Sequence, residues 1–470
     1  MTKELLRLGK IKYDGLNVLN PLINKTEVLT SEQLNHHVHI VGASGFGKTV
    51  LISHILRHKI ESGEGLVFID LKNDQDTIDR LKGFVSKAKR EKDFLEFSIS
   101  NPLGSNSYNL LNNGDATELR DRIMVSLNWS EEFYKTQSMS FLLKVLLGFC
   151  RLRDLKGFSF GLHEILQGAT DPEYLGKLFR ELDDNSQDVR KLFRQAKDFL
   201  EQKDTFQSLQ GLRAQLESLV HSGFGEKLRA ESAGFSLSEH SQSARRDNPA
   251  LIAPLPHHAR SYPSPTPPQH IDLFDAYMNR KIVFITLDSR RYGESARGIG
   301  RFILQDLKSV SAKVDSTIPK KDRQPFTVVI DEFADLATED FIGFLDRARS
   351  SRMSIVVAHQ ELCDLQRISE EFAGRLTGNM STLYAFLQKN PNSAEQIASY
   401  AGTRLVQKKT YAYEKRFFVN MPTGSSSVRD VEEFIVHPNV IKKLGVGECV
   451  VIKKYPKSLA YCMKVAKPEN

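Results

Sequence analysis

The stretch HHVHIVGASGFGKTVLISHIL, residues 36–56, decides how this chain is read. An apolar run enters Gly42, Ala43, Ser44, Gly45, Phe46, Gly47, Lys48 and Thr49, and an apolar helical pattern follows at once. This is the pattern G-x-x-x-x-G-K-S/T of a phosphate-binding loop, set between a strand and a helix. Glycines let backbone N–H groups turn inward around a polyphosphate, and the following helix offers its positive N-terminal end to the same anion. Lys48 is expected to reach the β- and γ-phosphates, and the Thr49 hydroxyl to coordinate Mg²⁺.

A second half of the same chemistry lies far downstream. PFTVVIDEFADL, residues 325–336, is an apolar β-branched run that ends in Asp331 and Glu332. A buried strand delivering two acids at its C-terminal end is the Walker B arrangement. Asp331 is expected to hold the Mg²⁺ shell and Glu332 to orient or activate the attacking water. SIVVAHQ, residues 354–360, is again apolar and then polar at its tip. In a parallel sheet such tips converge on the ligand crevice, so Gln360 is a candidate to sense the γ-phosphate or position water. The acids and Gln360 together point to a nucleotide hydrolase rather than a simple binding module.

Composition frames this reading. The chain has 470 residues, 40% hydrophobic and 26% charged, so it has room for two or three domains with large cores. Its net charge of +7 hints at a polyanionic partner. The N-terminal residues MTKELLRLGKIKYDG contain no apolar signal core, and no stretch approaches the ~20 apolar residues of a membrane span. Cys150, Cys363, Cys449 and Cys462 are scattered without zinc or redox spacing, so a reduced, cytoplasmic protein is expected. His37 and His39 share a parity in the strand before the loop. No acid or cysteine accompanies them, so packing is preferred to metal binding.

The organisation follows from the periodicity. GLVFIDLKND, residues 65–74, is another apolar strand with Asp70, Lys72 and Asp74 at its tip, where they can support Mg²⁺ or a subunit contact. With the phosphate loop it opens a βαβ pattern, so an α/β fold with a parallel sheet is expected. From about 115 to 230 the apolar residues fall at helical spacing with no β-rich run, which reads as an all-α insertion in which Trp129 packs. Residues 231–269, rich in Ser, His and Pro, read as a disordered loop, with Arg245, Arg246 and Arg260 solvated. The core resumes over 270–470, beginning with KIVFITLD (281–288). Later runs, STLYAFL, TYAYEKRFFV and GECVVIKKY, are expected to close or flank the sheet. Residues 1–114 form the first part of the nucleotide-binding domain.

Taken in order, these landmarks resemble the ATPase domain of the type IV secretion coupling proteins, the TraD/TraG class of the HerA–FtsK superfamily. The resemblance rests on HVHIVGASGFGKT, VFIDLKND, SYNLL, KIVFITLD, VVIDEFADL, LDRARSSRMSIVVAHQ, GNMSTLYAFL with SAEQIASYAGT, and VHPNVIKKLGVGECVVI, over roughly residues 5–455. VFIDLKND departs from the family's Asp-Pro-Lys-Gly-Asp-like form, and SYNLL from its Asn-Pro-Leu. The resemblance implies a RecA-like P-loop core with an inserted all-α domain. It also implies a hexameric, ATP-driven motor that moves DNA, with little sequence preference, toward a conjugative type IV secretion channel. A relaxase and secretion components are the implied partners. In such a ring a neighbour's arginine completes each site. Arg349 matches the family's Lys-Gly-Arg position, with Arg347 and Arg352 as rivals. Family members usually begin with membrane-spanning helices. This chain shows none, so the expectation is a soluble homologue or one recruited to the inner membrane face by another protein. Two alternatives stay open: a HerA/FtsK-like DNA-processing or defence ATPase unrelated to secretion, and an ATP-dependent adaptor for protein substrates.

Overall fold

The structure, a computed structural model, describes residues 5–12, 25–98, 101, 104–182, 187–230, 269–416 and 419–467. For Leu5 and residues 410–416 and 419–427 it describes the backbone alone. The loop expected to be disordered falls almost wholly on residues 231–268, outside the described residues, and so do Arg245, Arg246 and Arg260.

Thirteen strands are found among the described residues, in chain order β1 (Leu5–Ile11), β2 (Thr26–Thr30), β3 (Val38–Val41), β4 (Gly65–Asp70), β5 (Phe94–Ser98), β6 (Ile282–Thr286), β7 (Phe326–Ile330), β8 (Met353–His359), β9 (Thr382–Ala385), β10 (Thr403–Arg416), β11 (Val419–Phe434), β12 (Glu448–Lys453) and β13 (Leu459–Val465). The chain divides into two compact units, one of residues 1–55 with 355–470 and one of residues 56–354.

In the first unit β3 lies between β8 and β9, parallel to both, with Val41 opposite His359 on one side and Ala385 on the other. All four residues of β3 are buried. A strand covered on both faces is mostly apolar, which is why VHIV shows no alternation, and its one polar side chain, His39, finds a partner in β8. Beyond β9 the sheet turns antiparallel through β12, β13, β1 and β2. Its far side is closed by a buried ion pair, Lys453 Nζ to Glu27 Oε1 at 2.8 Å. The Tyr384 hydroxyl also donates to Oε1 of Glu27, at 3.2 Å, and the Tyr461 hydroxyl donates to Oε2. These donors satisfy a carboxylate that would otherwise be costly to bury.

One sequence expectation changes here. TYAYEKRFFV was expected to flank the main sheet. Instead β10 and β11 form a separate two-stranded antiparallel sheet, from Thr403 opposite Phe434 to Arg416 opposite Val419. Two long β-rich runs that are adjacent in sequence pair with each other at the lowest loop-closure cost.

The second unit carries a parallel array in the order β7-β4-β6-β5. Every residue of β4, β6 and β7 is buried. Between β5 and β6 the described chain is helical, with the helices of residues 116–220 where all-α structure was expected. The long helix Glu132–Lys156 packs against the helix Gln187–Glu201. Gly148 permits that approach, because a Cβ there would sit 2.2 Å from Cδ2 of the fully buried Phe193. Around it Phe149 meets Phe158, Phe160, Tyr174 and Phe193, with ring centroids 5.4 to 6.5 Å apart. A buried triad ties this region down. Arg122 Nη1 lies 3.0 Å from Asp306 Oδ1, and the Tyr108 hydroxyl donates to Oδ2 at 2.7 Å.

Gly148→Ala should therefore force the two helices apart and lower stability by about 1–3 kcal/mol, read from the urea unfolding midpoint. The same substitution at Gly211, where nothing lies within 4 Å of the added Cβ, should not destabilise the protein.

Candidate phosphate loop and acid pair

In the first unit the loop after β3 is shaped by what its backbone must do. Gly42, Gly45 and Gly47 adopt φ of 154°, 83° and 116°. Side chains disfavour these conformations. A Cβ at Gly42 would also stand 2.4 Å from Cβ of Phe386. The amide of Gly42 donates to the His359 carbonyl at 3.2 Å and that of Ala43 to the Leu387 carbonyl at 2.9 Å. The loop entry is thus pinned to the chain leaving β8 on one side and β9 on the other. Helix Lys48–Glu61 begins at the loop's own lysine, so the positive end of a fourteen-residue helix meets the glycine turn. Lys48 is buried and its ammonium donates to the Gly42 carbonyl, which folds the charge back over the loop. Thr49 follows, half-buried, in the first turn. Gln360 stands exposed just past β8, and its carbonyl accepts from Gln388 Nε2 at 3.3 Å.

Sequence reasoning missed a contact beside this loop. His39 Nε2 and His359 Nε2 lie 2.6 Å apart, both rings buried. His359 Nδ1 is 2.9 Å from the Glu361 carbonyl, which can only accept, so Nδ1 carries a proton. Burial, reinforced by His359 and Lys454, holds His39 well below its ordinary pKa. His37 precedes β3 with φ of 67°, so strict strand alternation does not run through it, and its Nδ1 accepts from the Ile355 amide at 3.1 Å. Among the described residues no cluster of three or more His, Cys, Asp or Glu could hold a metal ion.

In the second unit β7 delivers Asp331 beside the tip of β4, where the Asp331 amide donates to the Ile69 carbonyl at 3.0 Å. Glu332 takes a left-handed backbone, φ 53° and ψ 41°, which is uncommon outside glycine. Lys72 reaches both acids, with its Nζ 3.0 Å from Asp331 Oδ2 and 2.8 Å from Glu332 Oε1. Burial works against the charge on Lys72, but Asp331 and Glu332 outweigh it and hold its pKa above the ordinary value. Asp70 faces inward and organises the turn: Oδ1 accepts from the Lys72 amide at 2.9 Å and Oδ2 from the Asp74 amide at 3.3 Å. Burial, with Asp331 nearby, pushes the Asp70 carboxyl up to about 6 against those amide bonds. Asp74 is engaged locally, accepting from the Thr77 hydroxyl at 2.6 Å.

Arg347 and Arg349 are exposed at the end of helix Phe341–Ala348. Arg352 is tethered, its Nη1 donating to the Arg323 carbonyl at 2.9 Å. Trp129 is half-buried with its indole N–H on the Met124 carbonyl at 2.8 Å. No periodicity could have shown that Lys72 meets an acid 259 positions away. Its place at a strand tip was the one available signal.

Comparison with known proteins completes the description of the site. Residues 325–445 match the family described as the TraM recognition site of TraD and TraG. The type 4 coupling protein DotL of Legionella pneumophila is 20% identical over 505 aligned positions, covering 93% of this chain and 62% of that protein. The chain spans 57% and 62% of the length of the curated relatives it matches. Among solved structures, the unbound bacterial conjugative coupling protein TrwBΔN70 superposes with a TM-score of 0.62 at 14% identity, covering 98% of this chain and 89% of that one. TrwB in complex with ADP and Mg²⁺ superposes with a TM-score of 0.60 at 14% identity, covering 99% and 96%.

Proposed function

We propose that this chain, which has the fold of the type IV coupling proteins and matches the TraD/TraG family over residues 325–445, is an ATP-hydrolysing motor. It moves DNA, or a nucleoprotein, toward a conjugative type IV secretion channel. The observation that carries the reading is the glycine loop itself. It has three positive-φ glycines, a helix N-terminus and a buried lysine folded over it, an arrangement suited to a nucleotide polyphosphate. A structural relative holds ADP and Mg²⁺.

In this reading Gly42–Thr49 bind the phosphates of ATP, and Lys48 neutralises the β- and γ-phosphate charge. Thr49 and Asp331 fit Mg²⁺ chemically. Both offer hard oxygen, and Mg²⁺ characteristically takes only one or two protein ligands beside phosphate and water. The bound ion would supply charge neutralisation on the phosphates. Glu332 orients the attacking water and accepts its proton, and Gln360 senses the γ-phosphate. Subunits assemble as a hexamer, in which the exposed Arg349 serves a neighbour's site. The DNA phosphates are gripped by Lys and Arg, giving binding that weakens with salt. Relaxosome and secretion proteins are the proposed partners. Among the described residues no helix is long and apolar enough to cross a membrane. A cytoplasmic chain recruited to the inner membrane face by a partner is the corresponding localisation.

ATP hydrolysis measured with and without single- and double-stranded DNA tests this directly. DNA should stimulate turnover, and Lys48→Ala and Glu332→Gln should each lower it by about two orders of magnitude or more. Turnover indifferent to DNA, with no DNA binding, would favour the protein-adaptor alternative. Stimulation by DNA in a protein with no tie to secretion components would favour the DNA-processing one.

Arg349→Ala should lower kcat about 10³-fold while leaving the nucleotide Kd within a factor of about three, because a trans arginine acts on the transition state. A loss of nucleotide affinity instead would assign Arg349 to ground-state binding.

A further inference from the structure

We propose that Lys72 is a built-in counter-ion of the acid pair: it holds Asp331 and Glu332 and competes with a divalent cation for them. The inference deepens the reading above and rests on its assignment of Asp331 to Mg²⁺.

Three features of the second unit carry it. The first is the contact itself, in which one ammonium is shared by two carboxylates at 3.0 and 2.8 Å. The side chains of Asp331 and Glu332 are only 4% and 15% exposed. Two ionised acids that deep and that close require a cation between or beside them. The second feature is the backbone that brings the acids together. Consecutive strand residues would send their side chains to opposite faces. The left-handed backbone at Glu332 breaks that alternation, and both carboxylates reach the same nitrogen. Strain of this kind persists where the surroundings enforce it, and it clusters at functional sites.

The third feature is that Lys72 is aimed by a built turn. The Asp70 carboxylate fastens the amides of Lys72 and Asp74. Asn73, left-handed at φ 57°, accepts from the Thr286 hydroxyl at 3.2 Å and donates to Asp288 Oδ2 at 3.4 Å. Lys72 thus leaves a turn fixed on both β4 and β6, and its other end meets β7.

The consequence follows from charge. The oxygens that Lys72 holds are hard carboxylate oxygens of the kind a divalent cation takes. The ammonium must yield its carboxylate oxygens before that cation binds. Lys72 therefore weakens cation binding. When it is displaced, a charged group at the β4 tip changes partner.

The test titrates Mn²⁺ into nucleotide-free protein and reads free Mn²⁺ by electron paramagnetic resonance. Lys72→Met should bind Mn²⁺ about tenfold more tightly than wild type, because a competing charge has been removed. Lys72→Arg should stay near wild type, and Lys72→Met combined with Asp331→Asn should lose the gain. Circular dichroism checks each fold, and Lys72→Gln is read instead should the Met variant not fold. Mn²⁺ affinity that is unchanged or weaker in the folded Lys72 variant overturns the proposal. A merely structural lysine would give that result. The measurement uses no nucleotide, so a chain that failed to bind or hydrolyse ATP would sink the proposed function while this outcome still decided the role of Lys72.

Discussion

Two adjacent carboxylates at the end of a buried strand cannot remain ionised without a positive charge beside them. That constraint accounts for much of the second unit. It calls for a cation within reach of β7, and the parallel array supplies one from the neighbouring β4. It also requires the turn after β4 to be stiff, which explains why Asp70 is buried facing inward on two backbone amides. An opposed charge at one strand tip is thus matched by neutral hydrogen bonding at the next. The first unit faces the complementary problem. Its glycine loop gathers positive potential from a helix terminus and Lys48.

The helical region and the strands serve these tips by being rigid. Fully buried strands bear no polar side chain to spare, so polar residues appear where the strands end. The close helix contact at Gly148 stiffens the insertion, and the Arg122–Asp306–Tyr108 triad ties it to the helix that follows β6. A scaffold of this kind fixes the turn that carries Lys72 and the strand that carries Asp331 independently of each other. Their meeting at hydrogen-bond distance is then a property of strand order.

The sequence made the local chemistry legible. Glycine spacing fixed where the backbone must turn, because no other residue adopts those φ values cheaply. Continuous apolar runs fixed which strands are buried, and the switch to helical period placed the helices of residues 116–220. The landmark order was enough to name the coupling-protein resemblance, and the fold agrees with it. The β10–β11 run was legible as strand but not as a separate hairpin, because a β-pattern does not state its partner.

What the tertiary structure alone decided are the pairings across long sequence separation. Lys72 with Asp331 and Glu332, His39 with His359, and Glu27 with Lys453 and two tyrosines all depend on which strands become neighbours. Strand order arises from packing the whole chain, whereas propensity and periodicity act within a few residues. The left-handed turn at Glu332 belongs to the same class, since nothing in the letters DEF forces it. Residue types therefore determined what chemistry the chain can hold. Only the fold decided which charges stand against each other, because electrostatic contact depends on distance in space and not on position along the chain.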